Sequence, residues 1–409
     1  MTKALISGAS IAGPTLAYWL HRYGWDVTVV EKAPAVRGGG YPIDVRGTAL
    51  GVLDRMGVLP RVRAAHIDTR RLTFVAPNGK IVGSLNPDTM TGGAEERDIE
   101  LPRGDLTTIL YAAVRDDVEW IFNDSIGTLD DHGDGVTVTF VSGRTGEYDV
   151  VIGADGLHSH TRRLVFGPEE QFNHYLGYCF AGFTIPNDLG LSHEAKMWAA
   201  PGRMAAIYAP GCTDTLHGFL MAKRPIPPLA ELRDVAAQRA LLTEIFGGEG
   251  WLLPKLLDGM RAADDVFFDV TSQIRMPAWS RGRVALAGDA AHAPSFFSGQ
   301  GTSIALVGGY VLAGELAGAA PEQAFTSYER RTREFVRQNQ ALADGGGSTL
   351  APATNRALWF RNHVLLKAAP LFEKTGRLGG NVRKAATALT LPDYPGARRL
   401  VGAAGTSGN

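Results

Sequence analysis

A six-residue glycine turn, Gly8-Ala9-Ser10-Ile11-Ala12-Gly13, stands between an apolar run, Ala4-Leu5-Ile6-Ser7, and a helical stretch from Pro14 to Tyr23. No other feature constrains the fold of this chain as tightly. After a Gly24 stop, Val27-Thr28-Val29-Val30 gives a second strand ending at Glu31, eighteen residues past Gly13. Strand, glycine turn, helix and strand begin a βαβ unit, which requires a parallel sheet with helices packed against it. Gly8 supplies the tight turn and Gly13 lets helix and sheet approach. The helix N-terminus faces a pyrophosphate, and Glu31 accepts ribose hydroxyls. Ser10 departs from the glycine usual in the middle of such a turn, but adds only a small side chain whose hydroxyl can donate to phosphate. Glu31 favours an unphosphorylated ribose, hence FAD or NAD over NADP at this site. A turn needed only for packing is the plainer alternative. The strand, helix and acidic residue around it favour the dinucleotide.

The rest of the 409 residues is consistent with an ordinary globular chain: 41 Lys+Arg balance 42 Asp+Glu, and 45% of residues are hydrophobic. That balance gives no electrostatic reason to bind nucleic acid, and the length suggests two or three structural units. The two cysteines, Cys179 and Cys212, form no CxxC and no Cys/His cluster. A metal site and a disulfide framework are therefore not expected, one Cys179–Cys212 bridge stays open, and a reducing cytoplasm is the simplest compartment. Lys3 followed by an apolar stretch imitates a secretory leader, yet Gly8, Ser10 and Gly13 interrupt it at ordered spacing. No window reaches the roughly 18 uninterrupted apolar residues of a membrane span. The expectation is a soluble, unanchored protein, monomer or weak homodimer, with no membrane partner. Its 50 glycines cluster in a few loops, as where a backbone must approach something closely.

Along the chain, a helix is expected from Asp44 to Leu59 and another from Leu101 to Arg115, with a hairpin at Pro77-Asn78-Gly79 between them. Gly135 to Phe140 alternates as a second hairpin, and Asp149-Val150-Val151-Ile152 reads as a buried strand. From Tyr178 to Arg275 the style changes to several strands with turn signals such as Pro201-Gly202, the pattern of an antiparallel sheet. Val284 to Ala287 returns to the nucleotide fold, followed by a helix from Thr302 to Leu316. Glu322 to Ala343 and Arg356 to Leu371 are expected to be helical, and Gly402 to Asn409 frayed. This gives an α/β fold: a discontinuous Rossmann-like dinucleotide-binding domain over 1–170 and 277–345, an inserted antiparallel-sheet domain over 171–276, and a C-terminal helical segment over 346–409.

Two further glycine motifs follow apolar strands. Gly153-Ala154-Asp155-Gly156-Leu157-His158-Ser159-His160-Thr161-Arg162 is the second; alone, it could be a turn in which Asp155 caps a short helix. The third is Ala287-Gly288-Asp289-Ala290-Ala291-His292, followed by Gly299-Gln300-Gly301-Thr302-Ser303 at a helix start. It offers a carboxylate for a ribitol hydroxyl and free backbone N–H groups for an electron-rich ring edge.

Taken together, the GxSxxG turn with Glu31, the Leu101-Pro102-Arg103-Gly104-Asp105-Leu106 segment, the GADGxxSxxR motif and the GDAAH…GQG motif resemble the class A FAD-dependent aromatic hydroxylases, the p-hydroxybenzoate hydroxylase-like flavoprotein monooxygenases, in family order over nearly the whole chain. The Gly38-Gly39-Gly40 to Asp44 stretch and the C-terminal helices look most like tetracycline-inactivating and aromatic polyketide monooxygenases of that family.

The resemblance makes the discontinuous domain an FAD-binding domain and the inserted one a substrate-binding domain, and implies that Gly8, Ser10, Ile11, Ala12, Gly13 and Glu31 hold the ADP half of FAD, with Lys32 beside the ribose. It implies that Arg103 contacts the flavin side, Asp155 the pyrophosphate and NADPH or NADH, and Gly288 with Asp289 the ribitol chain. Gly299, Gly301 and Thr302 would present N–H groups to the isoalloxazine pyrimidine edge. The implied reaction is monooxygenation: NADPH or NADH reduces FAD, O2 adds to give a C4a-hydroperoxide, and one oxygen atom enters a phenolic or polycyclic aromatic substrate. Alternatives within the fold are Baeyer–Villiger oxygenation, a reductase or oxidase acting on an isoprenoid or polyketide, and a flavin-holding homologue without oxygenation. The WxWxIP signature of the related halogenases is absent. Ser295 and Phe296 stand where prolines are common, Ser303 for an asparagine, and Gly308-Gly309 for Asp-Ala. These departures bear on the flavin-side lining and on oxygenation, not on FAD binding.

An oxygenating site must exclude water. Candidates for an apolar pocket are Phe180, Phe183, Met197, Trp198, Met204, Tyr208, Phe219, Met221, Phe296 and Phe297, each of which can equally be core. For catalysis the candidates are His217, which could deprotonate a phenol, and Asp44 and Arg46 in the flavin-side loop. No catalytic residue is singled out. His292 suits a positioning hydrogen bond better than proton transfer, and Arg330, Arg331 and Arg333 suit the solvated side of a helix.

Overall fold

The computed structural model describes residues 1–36, 38, 41–86, 98–209, 211, 213–368 and 380–395. The chain opens with β1 (Lys3–Ser7), α1 (Ala12–Arg22), β2 (Asp26–Glu31), β3 (Pro42–Val45), α2 (Thr48–Arg55) and α3 (Leu59–Ala64). Next come β4 (Arg71–Val75), β5 (Ile81–Leu85), β6 (Ile99–Pro102), α4 (Arg103–Ala112) and β7 (Glu119–Phe122). Then β8 (Ile126–Asp131), β9 (Val136–Phe140), β10 (Thr145–Tyr148), β11 (Val150–Gly153) and α5 (His160–Phe166) lead to β12 (Asn173–Pro186), β13 (Glu194–Ala200), β14 (Arg203–Tyr208) and β15 (Thr215–Lys223). The remainder is α6 (Val235–Phe246), α7 (Leu253–Ala262), β16 (Phe267–Ile274), β17 (Ser280–Arg281), β18 (Val284–Leu286), α8 (Asp289–His292), α9 (Gly301–Gly318), α10 (Pro321–Ala341), α11 (Gly346–Leu350), α12 (Asn355–Phe360) and α13 (Gly380–Ala386).

A six-stranded sheet in the order β17-β18-β11-β1-β2-β7 forms the nucleotide fold, parallel except for β17. Because side chains alternate across a strand, Ala4 and Ile6 of β1 face a core with Leu16, Trp19 and Leu20 of α1 and Leu306, Tyr310 and Val311 of α9. Leu5 points the other way, with Val30, Val151 and Val284, onto Val136, Val138 and Phe140 of the three-stranded β10-β9-β8 sheet. Each fully buried side chain of this kind contributes roughly 1.5–3 kcal/mol of transfer free energy. Gly309 lets α9 close onto α1, since a Cβ there would lie 3.1 Å from Thr15 Cγ2. A Cβ on Gly308 would lie 3.5 Å from the Tyr328 hydroxyl. The Gly308-Gly309 departure therefore sits in helix packing.

A seven-stranded sheet in the order β16-β12-β15-β14-β13-β4-β5 stands beside it. The sheet expected within 171–276 is thus larger. The Pro77-Asn78-Gly79 hairpin adds β4 and β5 at its edge, and β4 runs parallel to β13. One face is covered by α6 and α7, through Leu242, Phe246, Leu256 and Met260. No helix was expected there, although Asp234 caps α6 by accepting from Ala236 and Ala237 N–H at 2.9 and 3.1 Å. The opposite face, with Phe180, Met204 and Met221, looks toward the nucleotide fold.

Two expected helices start late. Asp44 lies in β3, not in a helix running to Leu59, because Pro42–Val45 pairs antiparallel with Ile99–Pro102. Gly47, at φ 54°, then turns the chain into α2. Leu101 belongs to that same pairing, so α4 begins only at Arg103. Cys179 is buried as a free thiol. Cys212, Gly39, Gly40, 369–371 and 402–409 lie outside the described residues.

Candidate active site

Gly8 adopts φ 109°, and a Cβ there would meet the Ala154 carbonyl oxygen at 2.5 Å. The first and second glycine motifs are therefore in direct backbone contact. At Gly13 a Cβ would lie 1.9 Å from the Gly8 carbonyl oxygen, so the turn closes only with glycine at that position. Glu31 accepts from Ala9 N–H and Ala33 N–H, both at 2.9 Å, which fixes the carboxylate across the mouth of the turn. Lys32 beside it is exposed. Ile11 begins α1 with no side-chain cap and no acidic residue in the first turn, leaving the N–H groups of Ala12 and its neighbours free for an anion. Arg103 donates to Ser10 Oγ at 3.0 Å and its backbone N–H to the Tyr41 carbonyl at 3.3 Å. It ties the turn to the flavin-side segment.

In the second motif Asp155 accepts from the Ser159 hydroxyl and from Thr161 N–H and Oγ1, the latter two at 2.9 Å. Its carboxylate caps α5. Arg162, fully buried, donates to the Ala290 carbonyl at 2.9 Å and to Glu169 at 2.9 Å, joining the second motif to the third. His158 is held between Glu169, at 2.9 Å, and Asp269, at 3.1 Å. Those two hydrogen bonds outweigh its burial and push its pKa up to about 9.

The third motif folds back on the first. A Cβ on Gly288, at φ 59°, would lie 3.1 Å from Ala12 Cβ. Asp289 projects into the cleft between them with no hydrogen bond among the described residues, and a Cβ on Gly301 would sit 3.7 Å from its Oδ1. Its side chain is open to the cleft, yet protein surrounds it deeply enough that desolvation raises its pKa. Gly299 is left-handed at φ 61°, and Gln300, buried with both amide atoms unpartnered among the described residues, leads into the uncapped start of α9 at Gly301 and Thr302. Ser303 accepts from Arg46 N–H at 3.0 Å. His292 meets the Tyr328 hydroxyl at 3.0 Å, and burial pushes its pKa down to about 3. It is a neutral positioning group, as expected. The arginines of α10 do more than face solvent: Arg331 pairs with Glu315, and Arg333 pairs with Glu329 and covers Trp279.

Beside the cleft lies a cavity of about 190 Å3 lined by Tyr41, Pro42, Glu100, Gly182, Phe183, Tyr208, His217, Gly218, Phe219, Asp265, Phe267 and Phe296. Ser295, at φ 80°, turns the loop after His292 so that Phe296 enters the cavity. Proline, locked near φ −65°, could not occupy that position in this conformation. Phe296 packs against both Phe180, at 4.9 Å and 27°, and Phe219, at 5.1 Å and 18°, which also touch each other at 5.7 Å.

Of the expected pocket residues, Phe183, Tyr208, Phe219 and Phe296 reach the cavity, as does His217. Met197, Met204 and Met221 lie on the same face but are packed in the cluster around it. Trp198 is a correction. It alternates with Met197, points to the helix-covered face and is fully buried against α6 and α7. The ring of Phe183 also belongs to that face, filling the space left by Gly218. Phe297 packs on Tyr178 at 5.3 Å rather than lining the cavity. Tyr41, Glu100, Asp265 and Phe267 were missed. The alternation of Phe267 and Asp269 along β16 was a usable signal; Glu100 carried none. Burial lowers the pKa of His217, raises those of Tyr41 and Tyr208, and pushes that of Glu100 up to about 8.

Four glycine positions that a Cβ would crowd, two uncapped helix N-termini, Glu31 and the unpartnered Asp289 surround one cleft, and that donor set fits FAD. Residues 1–178 and 268–343 match the family described as FAD binding domain. The chain is 46% identical over 345 residues to the Mycobacterium tuberculosis (strain H37Rv) protein Rv1260, covering 84% of this chain and 92% of that one. It is 34% identical over 399 residues to a flavin-dependent monooxygenase of Legionella longbeachae, covering 96% and 98%. Among solved structures, tetracycline destructase Tet(55) superposes with a TM-score of 0.82 at 37% identity, over 96% of this chain and 99% of that one. No helix among the described residues is long and apolar enough to cross a membrane.

Proposed function

The chain belongs to the family of FAD-binding, flavin-dependent monooxygenases, and from that membership we propose that it inserts one oxygen atom from O2 into a phenolic or polycyclic aromatic substrate, with NADH or NADPH as transient reductant. In this reading Gly8, Ser10, Ile11, Ala12, Gly13, Glu31 and Lys32 hold the adenosine diphosphate half of FAD. Arg103, Asp155, Gly288 and Asp289 serve the pyrophosphate and ribitol, and Gly299, Gly301 and Thr302 serve the ring edge. FAD, when bound, supplies the two-electron chemistry and the activation of O2. The chain supplies geometry and dryness. The free N–H groups at the start of α9 stabilise negative charge at the ring edge, and the Phe180–Phe296–Phe219 cluster excludes water. His217, held neutral by burial, serves as a hydrogen-bond acceptor for a substrate hydroxyl.

One observation carries the reading: a single loop brings Gly299 to the cofactor cleft and Phe296 into the aromatic cavity. At about 190 Å3 the cavity is smaller than the ~300–1,000 Å3 of drug-sized sites, so a polycycle enters only by displacing the Phe296 ring. The test uses FAD-loaded protein, NADH or NADPH, and tetracycline as the probe. The expected outcome is reductant consumption stimulated by the probe, with one atom of isotopically labelled O2 in the product. Stimulated turnover that yields only hydrogen peroxide or a reduced product would overturn it.

A further inference from the structure

The cavity has one acidic wall that the reading above does not use. Asp44 of β3 and Glu100 of β6 are directly opposite in the antiparallel register, a position in which two negative charges destabilise a strand pair. Two arginines serve the carboxylates of this corner, Arg46 among them and Arg383 near Asp98. Arg46 pairs with Asp44 at 2.9 Å and approaches Asp98 at 3.5 Å, leaving Glu100 without an ion pair among the described residues. The Glu100 carboxyl accepts from Thr69 Oγ1 at 3.3 Å, and its backbone is fixed by Ile67 N–H at 2.7 Å and by His66 Nδ1, which either accepts from the Glu100 N–H at 3.1 Å or donates to its carbonyl at 3.0 Å. Around it from the other elements stand Tyr208 of β14, whose buried hydroxyl faces both Glu100 and Thr69, His217 of β15, and Asp265, whose carboxylate already accepts from Thr184 N–H at 3.0 Å and from its hydroxyl. Asp44 Oδ2 is 3.5 Å from the position of a Gly299 Cβ, so the carboxyl pair stands next to the turn that opens α9.

We propose that Glu100 is a specificity-determining proton donor of this pocket: its carboxyl, neutral in the resting enzyme, gives a hydrogen bond to a carbonyl or phenolate oxygen at the substrate's edge. The enzyme then selects planar substrates that carry an acceptor oxygen opposite β6, and disfavours those presenting a second carboxylate there. This inference rests on the monooxygenase reading for the identity of the substrate, but not for the state of the carboxyl. Burial supports that state, since it brings the proton loss of Glu100 to about 8.

The experiment has two arms, both on the full, FAD-loaded chain. The first compares infrared spectra of the wild type and Glu100→Gln without substrate. A protonated-carboxyl band present at about pH 7 in the wild type, fading above about pH 9 and absent from the variant, is expected. Absence of any band sensitive to E100Q at neutral pH overturns the proposal. The second arm measures KM for tetracycline against pH. The probe's own ionisations affect both proteins alike, whereas the wild type loses affinity relative to E100Q by about tenfold per pH unit above pH 8. Because the glutamine amide still donates, E100Q raises the neutral-pH KM less than E100A does. Parallel profiles for wild type and E100Q overturn the proposal. Failure of tetracycline to be oxygenated counts against the functional reading alone, and the infrared arm still decides the state of Glu100.

Discussion

The cofactor cleft and the aromatic cavity share a loop but are built on opposite plans. The cleft is made of backbone. At Gly8, Gly13 and Gly299 a side chain would strike another main chain or polar group, at Gly288 the Ala12 methyl, and the ligands offered are largely N–H groups at helix starts. The cavity is lined from seven separate segments, Tyr41–Pro42, Glu100, β12, Tyr208 of β14, β15, Asp265 with Phe267, and the Ser295 turn. A backbone site tolerates almost no change at its glycines, while a side-chain site is retuned by single substitutions. That contrast predicts how each region responds to mutation.

The largest effect should come from Gly13→Ala, which places a Cβ 1.9 Å from the Gly8 carbonyl oxygen. FAD affinity is expected to fall by about a hundredfold or more, on the order of 3 kcal/mol, in a fluorescence titration. Gly24→Ala is the contrast: Gly24, unlike Gly13, is left-handed, at φ 84°, but has nothing within 4 Å. It should cost about 1 kcal/mol of stability with FAD affinity unchanged. Equal losses for the two variants would erase the distinction between a turn that closes a site and one that merely reverses the chain.

Next is Asp289→Ala. Removing a carboxylate that has no hydrogen-bond partner among the described residues should weaken FAD by roughly 1.5–3 kcal/mol, the range for a hydrogen bond to a charged group, while leaving the apoprotein as stable as before or more so. A large loss of apoprotein stability would show that the carboxylate is structural instead.

On the cavity side, Glu100 predicts a pH signature in stability. Its pKa is raised on folding to about 8 from the ordinary 4.5, so the folded state binds the extra proton and stability falls as pH rises between those values. Glu100→Gln removes that slope. Its unfolding free energy should match the wild type near pH 5 and exceed it by pH 8.5, by on the order of 4 kcal/mol. A constant difference across pH would break the claim that this carboxyl is held neutral. The smallest effect belongs to Phe296→Ala. Because the ring is half-buried, truncation should cost about 1–2 kcal/mol of stability, enlarge the cavity and lower KM for a four-ring probe while raising hydrogen peroxide leakage. A KM that rises would mean the ring is a binding surface, not an obstruction.

The same contrast explains what could be read from the sequence. Gly8, Gly13, Glu31, Gly288, Asp289 and Gly301 were legible because close backbone approach demands particular residues at short, fixed spacing. The cavity was half legible. Phe219 and Phe296 were found as large apolar residues, but Trp198 was assigned to the wrong face, since a strand's two faces differ by one residue and nothing local says which of them carries a helix layer. Helices α6 and α7 were missed although Asp234 and the Leu241, Leu242 and Phe246 spacing marked the first of them, because the surrounding strands set the expectation. Glu100 was invisible for a deeper reason. Its chemistry arises from the β3–β6 register and from the commitment of Arg46 elsewhere, neither of which is a property of neighbouring residues.

A crystal structure of the FAD complex tests the central claim most directly. The account predicts the adenosine ribose at Glu31, the ribitol at Asp289, and the ring edge at the N–H groups of Gly301 and Thr302, with the flavin forming a wall of the cavity that holds Phe296 and Glu100. A flavin ring bound away from Asp289 and α9, or walled off from that cavity, would contradict it.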